Sequence, residues 1–297
     1  MKNTTDLRIP SNRVRDIERY MHAELDTLYG AGEVRAFVAM LFEAFLGWDR
    51  AHLLLHSDAT IDQSDLLRFH WAVEDLRRHR PIQHIVGYTD FCGCRIRVSP
   101  DVLVPRPETE EMVSWLCARR AQSQEAILDL CTGSGCIAIA LKKAFPDAQV
   151  TAVDLSPAAL ALARRNAEEN GTAVEFVEAD VLDGLDGLNG LYGLYGLIIS
   201  NPPYVRESER VTMAANVLDY DPAMALFVPD DDPLRFYRAI GDFATQHLSP
   251  QGLLVMEINE ALAPETCTLL QSQGFTTEVH EDFRGKPRMV TAALNGQ

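Results

Sequence analysis

An apolar run at residues 197–199 is followed at once by Ser200 and by the motif Asn201-Pro202-Pro203-Tyr204. Such a run indicates a buried strand, and two consecutive prolines end a strand and stiffen the turn that follows it. Asn201 is therefore predicted at the carboxyl edge of a sheet, where open α/β sheets bind their ligands. The motif thus constrains both the fold and the position of a binding site.

The chemistry of this motif suits a flat group that carries an NH2. The side-chain carbonyl of Asn201 and the main-chain carbonyl of Pro202 can both accept hydrogen bonds, and Tyr204 offers an aromatic face. The same residues also fit an Asx-type turn closed by prolines, with no ligand at all. The motif alone leaves both interpretations open.

Three earlier strand-like segments also end in residues that are typical of a nucleotide site. The first, 127–130, leads into a glycine loop whose backbone can pass close to a ligand, and a predicted helix follows whose N-terminus favours an anionic group. The second ends at Asp154, at the spacing from the glycine loop where an acidic side chain accepts hydrogen bonds from ribose hydroxyls. After the third, Asp180 could bind the amino group of an adenine and Val181 its ring. The glycine loop consists of Cys131, Thr132, Gly133, Ser134 and Gly135.

Strands and helices alternate from residue 127 to the end, which predicts an α/β fold with a mostly parallel sheet. The last two strands, 276–280 and 288–294, are joined by a short turn and should pair antiparallel. A dinucleotide-binding fold shares the glycine loop and Asp154. That fold gives no reason for an Asn-Pro-Pro-Tyr motif on the fourth strand end.

Residues 11–80 carry apolar side chains at helical spacing, and we predict four helices there, with Ser11 as the N-cap of the first. Alternation on both sides of the Cys92-Gly93 turn then predicts a β-hairpin. We therefore expect a helical domain over 1–80, a linker with a hairpin over 81–107 and a catalytic domain over 108–297.

Three further stretches contain patterns that need a separate interpretation. Arg106 and the acidic residues after it either face the active site as a hinge or simply begin a helix. The triplet Asp230-Asp231-Asp232 is interpreted as a helix N-cap and not as a metal site. Gly and Leu recur every three residues over 184–197, which we interpret as an expanded surface loop without a functional account.

Composition narrows the function classes. The formal net charge is −16, and residues 81–297 carry 16 Lys and Arg against 30 Asp and Glu. Such a surface is a poor partner for a phosphate backbone; it suits a basic protein partner, or reflects only solubility. The six cysteines show no paired C-x-x-C spacing, so we expect reduced thiols, no metal and a cytoplasmic location. No apolar run has the length of a membrane span, and the first residues lack a signal-peptide core.

Taken together, the four strand ends resemble the HemK-type protein glutamine methyltransferases. The similarity runs from about residue 50 to the end and includes the segments 102–110 and 282–288. The run Arg106-Pro107-Glu108-Thr109-Glu110 is more similar to the release-factor branch of that family, whereas Phe91-Cys92-Gly93 leans towards the ribosomal-protein branch. Gly196 and Asp221 depart from the family pattern, which usually has an acid and a Glu at these positions.

This resemblance implies a class I S-adenosylmethionine-dependent methyltransferase fold, Rossmann-like, with a seven-stranded sheet and an N-terminal helical domain that docks the protein substrate. It implies methyl transfer to the N5 nitrogen of a glutamine, and the expected substrate is the Gly-Gly-Gln glutamine of peptide-chain release factors. Asn201, Pro202 and Tyr204 would have catalytic roles, and together with Pro203 they would hold the glutamine. S-adenosylmethionine would be bound by Cys131, Thr132, Gly133, Ser134, Gly135, Asp154, Asp180, Val181 and Asn201.

Three alternatives stay open. The substrate could be a glutamine of ribosomal protein L3, which keeps the chemistry and changes the partner. The protein could methylate amino groups of nucleic acids, although its acidic charge and the absence of a basic, aromatic-rich domain argue against this. It could also be a binding module that kept the fold without the activity, which the intact glycines, Asp154 and Asn201 disfavour.

Overall fold

The structure is a computed structural model that describes residues 9–119, 126–185 and 193–295. The chain forms two compact units. The first comprises Met1–Gly87 and Ala215–Tyr220, and the second comprises Tyr88–Ala214 and Asp221–Gln297. The division therefore follows Gly87, and the hairpin segment predicted as part of a linker groups with the second unit.

The first unit is helical. Its core is formed by large apolar side chains such as Met21, Phe42 and Phe69, which are almost completely buried. Asp49 accepts a hydrogen bond from the main-chain N–H of His52 and caps the third helix. The helices are α1 (Val14–Tyr29), α2 (Ala31–Leu46), α3 (Arg50–Leu55), α4 (Gln63–Leu76), α5 (Ile82–Val86) and, from later in the chain, α9 (Ala215–Leu218).

The predicted cap of α1 is wrong. The helix begins at Val14, its N-cap is Arg13, and no side chain caps it. Ser11 lies too far upstream: its hydroxyl accepts from the N–H of Arg13 at 3.2 Å and donates to Asp16 Oδ2 at 2.5 Å. Ser11 thus stabilises the turn that leads into the helix.

The second unit is built on a seven-stranded sheet in the order β10-β11-β9-β6-β3-β4-β5, in which β11 runs antiparallel to both of its neighbours and the other described pairs are parallel. Two small ladders accompany it: the predicted hairpin of β1 with β2, and β7 with β8. The strands are β1 (Tyr88–Phe91), β2 (Cys94–Arg97), β3 (Ile127–Leu130), β4 (Val150–Asp154), β5 (Glu175–Glu178), β6 (Tyr195–Ser200), β7 (Val205–Arg206), β8 (Phe227–Val228), β9 (Leu248–Glu257), β10 (Phe275–Glu281) and β11 (Pro287–Leu294).

Helices cover both faces of this sheet. They are α6 (Pro107–Arg119), α7 (Cys136–Ala144), α8 (Pro157–Glu169), α10 (Arg235–His247) and α11 (Ala263–Ser272). One apolar cluster contains Ile127 and Ile139, and another contains Leu128 and Tyr237, so successive residues of β3 contribute to different clusters. All six positions of β6 are buried, which explains why this strand reads as a continuous apolar run.

Strand register brings the predicted site residues to one edge. Leu130 of β3 lies opposite Ser200 of β6 on one side and Val153 of β4 on the other. Because these strands are parallel, the residues at or directly after their ends, Cys131, Asp154 and Asn201, lie side by side. The topology therefore assembles a site from segments that are far apart in the chain.

The aspartate triplet does not cap a helix, which corrects the prediction. Helix α10 begins at Arg235, and its N-cap is Leu234 without a side-chain bond. Asp230 accepts from the N–H of Ser208 at 3.2 Å, and Asp232 pairs with Arg238 at 2.9 Å. In the described part of the chain, no group of three His, Cys, Asp or Glu residues could hold a metal ion.

Most of the Gly-Leu repeat, residues 186–192, lies outside the described residues. Leu185 before it and Tyr195 after it are buried, and β6 begins at Tyr195. Gly196, where the family pattern has an acid, donates its N–H to the carbonyl of Ala126 at 2.9 Å. All six cysteines are free thiols. Among the described helices, we find none with the length and apolar character needed to cross a membrane.

Candidate functional site

A cavity of about 310 Å³ opens at the carboxyl edge of the large sheet. Residues from the ends of β3, β4, β5 and β6 line it. Most predicted cofactor residues are in its wall, namely Cys131, Thr132, Gly133, Ser134, Asp154, Asp180, Val181 and Asn201. Pro203 also lines it, whereas Gly135, Pro202 and Tyr204 are not among the lining residues.

A buried carboxyl group fixes the glycine loop after β3. Asp129 Oδ2 accepts from the Thr132 hydroxyl at 2.5 Å and from the N–H of Ala138 in α7 at 3.2 Å. Burial raises the pKa of Asp129 to about 7, although these two hydrogen bonds favour the charged form. The side chain thereby ties the strand, the loop and the first turn of α7 together.

The two glycines of the loop have different tasks. Gly133 has φ +54°, and a Cβ at this position would meet no atom within 4 Å, so the backbone is bare towards the cavity. Gly135 has φ +79°, and a Cβ there would lie 3.0 Å from the Cβ of Ala163 in α8. Gly135 therefore allows α8 to pack closely, while Gly133 is the glycine that leaves room for a ligand.

Two acidic residues follow the neighbouring strands. Asp154 accepts from the N–H of Gly133 at 2.8 Å and from the N–H of Ser156 at 2.9 Å, one bond to each oxygen. Burial raises its pKa against the effect of these bonds. A carboxylate has about four acceptor sites, so each oxygen retains capacity for a hydroxyl donor. Asp180 accepts from the N–H of Leu182 at 2.8 Å, and Val181 beside it is buried.

The Asn-Pro-Pro-Tyr motif is held by a network of side chains. Asn201 Nδ2 donates to the Thr109 hydroxyl at 3.0 Å, and that hydroxyl donates to Glu257 Oε2 at 2.6 Å. The Tyr204 hydroxyl donates to the other oxygen, Glu257 Oε1, at 2.8 Å. Glu257 therefore connects both ends of the motif.

Sequence reasoning missed Thr109 and Glu257. Both are 2% exposed. One signal was available: Glu257 follows the apolar residues 253–256 of β9, and a buried acid at the end of a strand needs a partner. Burial raises the pKa of Glu257, while the hydroxyls of Thr109 and Tyr204 and the charge of Arg288 act in the opposite direction.

The segment around Arg106 contains both of the features that were expected as alternatives. Arg106 lines the cavity and forms an ion pair with Asp221. Burial raises the pKa of Asp221, and the charge of Arg106 partly lowers it again. Glu110 instead accepts from the N–H of Cys92 at 2.7 Å, and Glu111 accepts from the N–H of Phe283 at 3.1 Å. Arg106 thus faces the site, and the acids anchor the helix to surrounding loops.

Comparison with known proteins identifies the family. Residues 109–223 match the family model described as the methyltransferase small domain, and residues 25–87 match the PrmC N-terminal domain. The release factor glutamine methyltransferase of Bacteroides thetaiotaomicron is 41% identical over 93% of this chain and 98% of its own length. That of Flavobacterium psychrophilum is 40% identical over 90% and 94%.

The chain belongs to the release factor glutamine methyltransferase family. The resemblance inferred from its motifs is confirmed, and the protein is a methyltransferase. Among solved structures, the catalytic domain of hMettl16 in complex with MAT2A 3′UTR hairpin 6 is 14% identical, with a TM-score of 0.52 over 82% of this chain and 87% of that one. At this identity the likeness concerns the fold alone, and the predicted class I methyltransferase fold is confirmed.

Proposed function

We propose that the protein transfers a methyl group from S-adenosylmethionine to the side-chain nitrogen N5 of a protein glutamine, the one in the Gly-Gly-Gln loop of peptide-chain release factors. One observation carries this proposal. Asn201, whose side chain can form hydrogen bonds with an amide, lies in the wall of the same cavity as Gly133 and Asp154. Gly133 and Asp154 are the residues suited to binding a nucleoside. Amide and cofactor would therefore meet in a single cavity.

The cavity wall fits the chemistry of the cofactor. Gly133 leaves open space where any other side chain would project, and the Asp154 carboxylate can accept from ribose hydroxyls. Asp180 offers a further carboxylate and Val181 an apolar side chain for the adenine. When bound, S-adenosylmethionine supplies an electrophilic methyl group on a positively charged sulfur and leaves as S-adenosylhomocysteine.

The task left to the protein is positioning. An amide nitrogen is a poor nucleophile because its lone pair is delocalised into the carbonyl. Asn201 Oδ1 and the Pro202 carbonyl would accept from the substrate NH2, aim it at the methyl group and stabilise the positive charge that builds on nitrogen. Pro203 would keep the turn rigid, and the ring of Tyr204 would pack against the amide plane.

The release-factor substrate is supported by the relatives that share most of their length with this chain. The strong negative charge of residues 81–297 is compatible with a protein partner that carries positive charge. We assign the docking of that partner to the helical residues 1–80, and we place the reaction in the cytoplasm, where release factors act.

The test is methyl transfer from labelled S-adenosylmethionine to several acceptors in parallel: a purified release factor, the same factor with its Gly-Gly-Gln glutamine replaced by alanine, ribosomal protein L3, and bulk DNA with RNA. We expect label on the first acceptor and none on the second. Label on the ribosomal protein alone would keep the chemistry and change the partner. Label on nucleic acid alone, or no label at all, would overturn the proposal.

A further inference from the structure

The network behind Asn201 determines which end of its amide faces the substrate. We infer that Thr109 and Glu257 act as positioning residues that fix the Asn201 side chain with its carbonyl towards the substrate and its NH2 away from it, and thereby make the site selective for an amide over a carboxylate. This inference rests on the proposed function and concerns the same site.

Glu257 determines which groups of this network donate and which accept hydrogen bonds. Its two carboxylate oxygens are acceptors, and each has one donor: the Thr109 hydroxyl at 2.6 Å and the Tyr204 hydroxyl at 2.8 Å. Burial raises the pKa of Glu257, whereas the two hydroxyl donors and the charge of Arg288 favour its ionised form. Because each oxygen already has a hydroxyl directed at it, both can act as acceptors in this geometry.

The Thr109 hydroxyl links Glu257 to Asn201. A hydroxyl has one proton, and the proton of Thr109 is used at Glu257. Only lone pairs of the Thr109 oxygen are therefore left for Asn201, and the group that meets them at 3.0 Å is the Asn201 NH2. If the Asn201 amide were reversed, its carbonyl oxygen would face another acceptor, and both groups would lose a hydrogen bond.

The opposite end of the Asn201 side chain is left to the cavity. Asn201 is only partly buried and lines the cavity, and within the described ranges no donor contacts its Oδ1. An acceptor held at this point recognises the NH2 of a glutamine. A glutamate at the same place would present an oxygen to it, which leaves both acceptors unpaired and adds repulsion.

The test replaces the Thr109 hydroxyl by a methyl group of similar size. In Thr109→Val, Asn201 can adopt both orientations, so we expect kcat to fall by about 10- to 100-fold while KM for the release factor changes little. Thr109→Ser keeps the hydroxyl and should restore most of the rate. Thr266→Val is the matched control, because Thr266 is also fully buried and donates to the carbonyl of Leu262 at 2.8 Å, away from the cavity.

A binding measurement separates orientation from a structural effect. With unmethylated release factor and its Gln→Glu form, the wild-type protein should bind the glutamine form about tenfold or more tightly, a difference of about 1.4 kcal/mol. In Thr109→Val the two affinities should become nearly equal, whereas Thr266→Val should keep the wild-type ratio. A merely destabilised fold would lower both affinities together.

Two results would overturn the inference: full discrimination and turnover in Thr109→Val, or a loss in Thr109→Val that adds fully to the loss in Asn201→Ala. If Thr109 acts through Asn201, the double variant should be no slower than Asn201→Ala alone. A wild-type protein that methylates no glutamine would contradict the proposed function instead, and this outcome is read from the wild-type arm before any variant is compared.

Discussion

The two ends of the cavity are held by different kinds of contact. At the glycine-loop end (residues 129–135 with Asp154), the carboxyl groups of Asp129 and Asp154 bind main-chain N–H groups or a hydroxyl in the loop or in the first turn of α7. At the amide end (Thr109, Asn201, Tyr204 and Glu257), side chains bind side chains, across 92 residues from Asn201 to Thr109 and 148 from Thr109 to Glu257. The first end depends on backbone shape, and the second depends on a chain of donors and acceptors.

The largest effect on turnover is expected at the amide end. Asn201→Ala removes the acceptor proposed for the substrate NH2 and should lower turnover by about 100-fold or more, with little change in cofactor affinity. The measurement is steady-state methyl transfer together with a cofactor-binding titration.

Ser200→Ala is a suitable control for Asn201→Ala. The Ser200 hydroxyl is buried next to the motif and donates to the carbonyl of Leu130 at 2.7 Å. Its loss should cost about 1 kcal/mol of unfolding free energy and leave turnover almost unchanged. Near wild-type turnover in Asn201→Ala would contradict the assignment of Asn201 as the acceptor for the substrate NH2 at the amide end.

At the glycine-loop end, the role of Asp129 should be visible in the pH dependence of the free energy of unfolding. Its pKa is raised from 3.8 to about 7 by burial, so the folded protein resists an ionisation that the unfolded chain undergoes near pH 4. The stability that Asp129 contributes is complete below about pH 4, is lost as pH rises to about 7 and is constant above. Relative to Asp129→Asn, the wild type should lose on the order of 4 kcal/mol across this window in chemical denaturation.

Asp282→Asn provides a control of opposite sign. Burial opposes ionisation of Asp282, but the N–H groups of Lys286 and Arg284 and the Arg288 side chain outweigh it, and its pKa is lowered. The stability that this carboxylate contributes is present above about pH 4 and is lost as pH falls. Parallel pH profiles for the two Asn variants would contradict our account of Asp129.

The next two substitutions test the different roles of Gly133 and Gly135. Gly135→Ala places a methyl group 3.0 Å from the Cβ of Ala163 at a φ of +79°, and should lower the unfolding free energy by about 1–3 kcal/mol. Gly133→Ala meets no protein atom within 4 Å and should cost about 1 kcal/mol, but Gly133 lines the cavity and the methyl group would occupy open space there. We therefore expect weaker cofactor binding from Gly133→Ala, as measured by calorimetric titration, and the reverse ranking would contradict the assignment.

The smallest effect on activity is expected from Asp154→Asn. The substitution keeps one acceptor oxygen and removes the charge, so cofactor affinity should fall by about tenfold, which corresponds to about 1.4 kcal/mol. Turnover at saturating cofactor should stay close to wild type because Asp154 is not proposed to contact the glutamine. A drop in turnover with unchanged cofactor affinity would place Asp154 at the amide end instead.

Local patterns predicted most of the fold and which residues of the glycine loop line the cavity. Strand endings and the antiparallel last pair depend on residues close in sequence, and so does the Asp154 spacing. The prediction of Ser11 as a helix cap was wrong because α1 begins two residues later than a cap at Ser11 requires. The prediction that the aspartate triplet caps a helix was wrong for a similar reason, since α10 begins at Arg235.

The amide end was only half predictable for a physical reason. Asn201 and Tyr204 belong to a recognisable motif, but a threonine hydroxyl and a glutamate carboxylate have many possible partners. Only the folded sheet decides that Thr109 meets Asn201 and Glu257, or that Arg106 meets Asp221 across 115 residues. No sequence spacing encodes these contacts.

The helical unit also has a consequence for the order of synthesis, because it includes Ala215–Tyr220 from the second half of the chain. Within this unit the Tyr220 hydroxyl donates to the carbonyl of Arg78 at 3.1 Å. Residues 88–214 separate the two parts, and a ribosome needs roughly 6–25 s to add them at 5–20 residues per second. The helical unit therefore leaves the ribosome incomplete, and α9 can join it only after the first four strands of the large sheet have been made.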